Sequence, residues 1–189
     1  MLEAFPRVHR VKCLPHARGD GRWLTPGYVL LIVVPDLRND NARDPLQPRT
    51  DAGTLDAIKK HVEARAGMHL KDRINVRNPT YQKVRLAFNV KFHRGFEANE
   101  YRKVLRAELT AFLSPWAFDA QIPISFGGVL YKSVLINFVE ERRYVDYVTD
   151  FRLRSFTDTE DYGDNLDEVR AHTPDAILVS DTQHDVEVL

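Results

Sequence analysis

KVRLAFNVKFH (Lys83–His93) decides the fold of this chain. Val84, Leu86, Phe88, Val90 and Phe92 alternate with Lys83, Arg85, Ala87, Asn89, Lys91 and His93. A period of two over eleven residues is the signature of a half-buried strand with one apolar and one basic face. Such a strand needs a layer to cover its apolar face, and the next segment supplies one. Ala98–Leu113 places Tyr101, Val104, Leu105, Leu109 and Phe112 at helical spacing, and Pro115 prevents the helix from continuing.

Working outward, IPISFGG (Ile122–Gly128) reads as extended, and Val129–Glu141 as a helix turning Leu130, Val134, Leu135 and Phe138 inward. YVDYVTDFRLRSF (Tyr144–Phe156) alternates again as a strand. From Thr157 the chain becomes acidic and turn-rich, as in a linker, before the short apolar strand AILVS (Ala176–Ser180). On the N-terminal side, RVHRVKCL (Arg7–Leu14) is an irregular strand and PHARGDGRWLTPG (Pro15–Gly27) a loop. YVLLIVVP (Tyr28–Pro35) is a continuous aliphatic run, as expected of a strand buried on both faces. Residues 36–48 read as a polar, turn-rich connection of unusual length, either mobile or held by a partner. A helix then starts at Asp51 or Thr54 with Leu55, Ile58 and Val62 on one side, followed by INVRNP (Ile74–Pro79), a short strand closed by Asn-Pro.

The order is β-β-α-β, then β-α-α-β, which predicts an α+β fold of two consecutive sheet-plus-helix units. The units are read as 1–79 and 80–156, with 157–189 as an acidic linker and C-terminal strand. A doubly wound sheet would need repeated short βα turns and a glycine fingerprint, which this sequence lacks.

Charge sharpens the picture. The 189 residues hold 27 Lys+Arg and 27 Asp+Glu, yet residues 1–106 carry 21 basic and 11 acidic groups, and residues 107–189 carry 6 and 16. Halves of +10 and −10 suit pairing within the chain or between copies. They argue against a general polyanion binder. The longest uncharged stretch, Trp23–Pro35, has thirteen residues, whereas a membrane-spanning helix needs about 20. No secretory leader is recognisable, and one cysteine permits no internal disulfide; synthesis in the cytoplasm is the expectation.

The search for chemistry finds no constellation that carries a reaction. Cys13 and His16 form a C-x-x-H pair, two ligands where a zinc site needs three or four; a buried Cys beside a surface His is the plainer reading. His61 and His69 lack the glutamate and spacing of a zincin helix. In GGVLYKS (Gly127–Ser133) Tyr131 stands where a phosphate loop needs glycine. Asp36, Asp40 and Asp44 do not follow the alternate positions of a calcium loop. On the strand at 83–93 the aromatic rings lie opposite the cations, whereas a nucleic-acid platform presents both together.

The segments NPTYQKVRLAFNVKF (Asn78–Phe92), LSPWAFD (Leu113–Asp119), IPISFGGVLYKSVLINFVE (Ile122–Glu140) and YVDYVTDFRL (Tyr144–Leu153) stand in an order that resembles the baseplate J-like family. These are wedge proteins of contractile phage tails and related injection systems. VHRVKCLP (Val8–Pro15), YVLLIVVPD (Tyr28–Asp36) and TPDAILVSDTQHDV (Thr173–Val186) are similar to the form found in phage-tail-like injection particles. The chain resembles the C-terminal portion of longer members. The resemblance implies a structural role without catalytic residues or cofactor. Its implied partners are other wedge subunits, hub or spike proteins and sheath-proximal proteins, with self-association, no membrane and no nucleic acid. The alternatives are a nucleic-acid adaptor using the basic strand and a tail-associated hydrolase. The segments a lone monomer explains least are the expected contact points: Arg38 and Arg43 in the long loop, Trp116 and Phe118 at the proline corner, Lys83, Arg85 and Lys91 on the basic face, and Ile177 and Leu178 in the terminal strand. For the two rings at the corner, covering their own core is an equal reading.

Overall fold

The computed structural model describes residues 2–36, 44–119 and 121–189. The fold is α+β, in two units, 1–79 and 80–189. Arg38, Arg43 and Asp40 lie outside the described residues.

In the first unit the apolar run forms the middle strand of three. β1 (Val8–Pro15) pairs antiparallel with β2 (Val29–Pro35), and β3 (Ile74–Arg77) pairs parallel with β2. A parallel neighbour cannot be reached by a hairpin, so the chain crosses over through α1 (Ala52–Glu63). Asp51 caps α1, its carboxylate accepting from the Thr54 amide at 2.9 Å and the Thr54 hydroxyl at 2.7 Å. Those contacts hold the carboxyl below the usual carboxylate range. Ile58 is buried against Val8 and Val33, with Leu55 and Val62 beside it. Cys13 corrects the sequence reading. It stands exposed on the edge strand rather than buried, because β1 has a partner on one side only.

Before α1 the chain is tied down by one side chain. Asn78 accepts the Thr50 amide at 2.8 Å and donates to the Thr50 carbonyl at 2.9 Å, imitating a strand pair. Asn78→Ala should remove both bonds and about 1.5 kcal/mol of stability, read as a lower midpoint in urea denaturation at unchanged slope.

The second unit is built on β4 (Thr80–Phe92), the long alternating strand. Its even residues from Val84 to Phe92 are buried in one cluster with Leu105, Leu109, Leu135, Val139, Phe151 and Leu153. The covering helices are α2 (Ala98–Leu113) and α3 (Lys132–Glu140). Between them, β5 (Val129–Tyr131) pairs antiparallel with β7 (Glu168–Arg170). This pairing starts α3 three residues later than the sequence suggests. β6 (Val145–Phe156) lies antiparallel on one side of β4, with the Phe88 and Phe151 rings stacked at 4.9 Å.

The acidic segment carries β7, through which it pairs with β5. β8 (Ala176–Ser180) and β9 (Asp185–Val188) follow one another along the free side of β4, both parallel to it. β8 matches Thr80–Val84 and β9 matches Ala87–Val90, leaving a gap at Arg85 and Leu86. His184, buried there, closes the gap. Its Nδ1 accepts the Leu86 amide at 3.2 Å and its Nε2 sits 3.0 Å from the Ser180 hydroxyl, which donates to the Asp181 carbonyl. An acceptor at Nδ1 requires the proton on Nε2.

Candidate assembly surface

On the outer face of the β4 sheet, charges meet charges of the same chain. Lys83 reaches Asp158 at 2.7 Å and Arg85 reaches Asp181 at 2.6 Å. Arg154 pairs with Asp161, which holds that carboxyl below its usual range. Lys83, Arg85 and Arg154 also surround the Phe156 ring, with cation-to-centroid distances of 5.3 to 5.9 Å. Lys91 lies 5.4 Å over the Tyr147 ring. Part of the bipolar charge pattern is thus consumed inside the unit. Divided at Pro79, the first unit carries 14 basic and 9 acidic groups, leaving a surplus of only five charges of each sign between the units.

The remaining expected contact residues separate by burial. Ile177 is fully buried, because AILVS completes its own sheet, and Leu178 is partly buried, packed on the core. At the proline corner the two rings part company. Trp116 is turned in, 7% exposed, its indole Nε1 without a hydrogen-bond partner among the described residues, whereas Phe118 stands 62% exposed.

The sequence reading missed a larger apolar surface. α2 and α3 lie antiparallel: Phe112 meets Phe138 at 4.3 Å between ring centroids, and one helical step further Glu108 meets Arg142 at 3.7 Å. Glu108 also accepts the Tyr144 hydroxyl at 2.8 Å; burial first, then this carboxylate, push the phenol pKa well up. Val104 and Phe112 on α2 are exposed, and Val134 on α3 is 46% exposed. All three had been expected to face inward. They sit at the margin of stripes that are wider than one sheet can cover, and that excess width was the available signal. Phe118, Ile122, Val129 and Tyr131 extend the list of exposed apolar side chains in the same unit.

The outer sheet face also holds a cleft of about 330 Å³ above Ala87, lined by arginines and carboxylates of mixed sign. Among the described residues no three His, Cys, Asp or Glu side chains converge as metal ligands, and no helix is long and apolar enough to cross a membrane.

Comparison with known proteins places this arrangement. A chain of the anti-feeding prophage (AFP) baseplate, solved by cryo-EM and 6-fold symmetrised, superposes with a TM-score of 0.64 at 20% identity. The match covers 95% of this chain and 35% of that one, so this chain spans about a third of the length of its neighbour, and at that identity the likeness concerns the fold. Comparison with curated protein sequences finds no match. The sequence model of the PVC11-like baseplate proteins matches residues 5–179, which takes in both units and the apolar seam. With nearly the whole chain matched, it belongs to the PVC11-like baseplate protein family.

Proposed function

We propose that this chain is a structural building block of a phage-tail-like contractile baseplate, a wedge-type subunit that works by holding its neighbours. The observation that carries the reading is the exposed α2–α3 seam with Phe118 beyond it, on a chain of a baseplate family. In this reading the partners are adjoining wedge subunits and the hub and sheath-proximal proteins around them. Large apolar side chains supply most of the binding energy in such contacts, while the internal ion pairs keep the outer sheet face from attracting unrelated polyanions. Two of the three cations of the basic strand are already matched by carboxylates, which weakens the nucleic-acid alternative.

The test is a pair of surface substitutions, Phe118→Asp and Val134→Asp, introduced where the particle is produced. Both side chains face solvent in the isolated chain, so circular dichroism and melting should be those of the parent. Incorporation into purified particles, quantified by mass spectrometry, should drop about tenfold or more for each, the effect of losing one buried apolar anchor. Incorporation at the parental level by both variants would overturn the reading.

A further inference from the structure

The two most exposed apolar side chains described in this protein are in the first unit, Leu24 at 92% and Met68 at 93%. They occupy matching places. Leu24 lies five residues before Val29, Met68 lies six before Ile74, and Val29 and Ile74 are register partners at the start of two parallel strands. Adjacent parallel strands are about 4.8 Å apart, so the two approaches arrive side by side. The Val29 amide donates to the Arg73 carbonyl at 3.0 Å, joining them.

Neither side chain projects from a slack loop. Thr25 donates to the His16 carbonyl at 2.6 Å and His16 to the Tyr28 carbonyl at 2.8 Å. Trp23 lies 5.4 Å from the Arg77 guanidinium, which also donates to the Gly19 carbonyl at 2.9 Å. Leu24 therefore sits between two fixed residues with its side chain held outward. Met68 opens a tight turn, Met68–Leu70, closed by the Leu70 amide on the Gly67 carbonyl at 2.9 Å.

The charge around these side chains has one dominant sign. Arg18 and Arg22 share a single carboxylate, Asp20, at 3.5 and 3.6 Å. On the other approach Lys71 and Arg73 are accompanied only by Asp72. Within 18–24 and 68–73 the two approaches hold four cations and two carboxylates, in a unit that itself carries five more basic than acidic groups.

We infer that this end of the first unit is a docking surface for an acidic protein segment that carries apolar side chains between its carboxylates. The apolar pair supplies the contact area and the cations select the sign and orientation of the partner. The surface is distinct from the α2–α3 seam, and its occupancy does not depend on the baseplate reading.

The probe is a short synthetic peptide alternating Glu and Leu, titrated into the full chain. Binding is followed by fluorescence of Trp23, with a Trp116→Phe background to isolate that ring. Saturable binding is expected, weakening at least fivefold between about 0.05 and 0.5 M salt. Leu24→Ser with Met68→Ser should weaken it about tenfold, and Lys71→Glu with Arg73→Glu should abolish the salt dependence together with most of the binding. These positions are at the surface, so far-UV dichroism should match the parent. Three results would each overturn the proposal: no saturable binding, equal binding of a Lys/Leu peptide, or binding unchanged in both double variants. Attachment to phosphatidylserine vesicles without binding of the Glu/Leu peptide would also overturn it, in favour of a lipid surface.

Discussion

Acidifying the protein from about pH 7 to about pH 4 should strip about 3 kcal/mol from the stability of the second unit, through His184 alone. Burial is the main cause: it holds the imidazole pKa down to about 4, although the Asp181 and Asp185 carboxylates favour the charged form. Arg106 and Arg85 act in the same direction as burial. In the unfolded chain a histidine titrates near 6.5. Below that pH the unfolded state takes up a proton that the folded state refuses, so stability falls as pH falls and levels off near the folded value. Each pKa unit is worth about 1.4 kcal/mol.

Geometry gives the same direction. A proton on Nδ1 would set two donors against each other, since that atom accepts the Leu86 amide. The gap between β8 and β9 would open first, and the amides of Asp185–Val188 should lose exchange protection before the rest of the sheet. His184→Asn keeps an oxygen for the Leu86 amide but cannot titrate in this range. Its unfolding free energy should fall less steeply over this range than the parent's, by about the 3 kcal/mol assigned to His184. An Asn variant with the parental pH dependence would show that other groups cause the slope.

The second large effect is expected at Gln82, a fully buried amide on the core-facing side of β4. Its Nε2 donates to the Ser155 hydroxyl at 2.8 Å and to the Arg170 carbonyl at 2.9 Å, and its Oε1 accepts the His172 amide at 3.0 Å. One side chain thus ties β4, β6 and the segment around β7 together. Gln82→Leu fills similar volume but takes the side-chain partner from the Arg170 carbonyl and the His172 amide, both in part-buried bonds. Each orphaned group costs about 1–3 kcal/mol, so a loss of about 3 kcal/mol is expected in urea denaturation. Limited proteolysis should cut 157–175 faster at the same time. A loss below about 1 kcal/mol would mean that water or a neighbouring group takes over these bonds.

Gln82 also illustrates where reading from sequence stops. The alternation at 83–93 is strong because every second residue meets the same core, and local periodicity records that directly. Gln82 keeps the parity of Val84 and Leu86 yet is polar, and nothing local says that its partners lie 73, 88 and 90 residues further on. β5 and β7, three residues each, have too few positions to display a period. β9 is hidden for a related reason: DVEV (Asp185–Val188) carries two acids and forms a strand because β4 offers it an unpaired edge. The wide stripes of α2 and α3 were legible, but which margin stays uncovered depends on how the two helices share one sheet.

The sequence by itself determined β2, a continuous apolar run, and the elements whose burial is periodic, β4, β6 and the three helices, and with them the α+β class. Its ordered segments also carried the family resemblance. Only the tertiary structure decided that β8 and β9 together complete the β4 sheet, that Lys83 and Arg85 are spent on Asp158 and Asp181, and that Trp116 turns inward while Phe118 turns out. The physical reason is range. Periodicity arises between a residue and its near neighbours along the chain, whereas edge pairing, ion pairing and exposure depend on groups brought together from far apart, and no local pattern encodes that meeting.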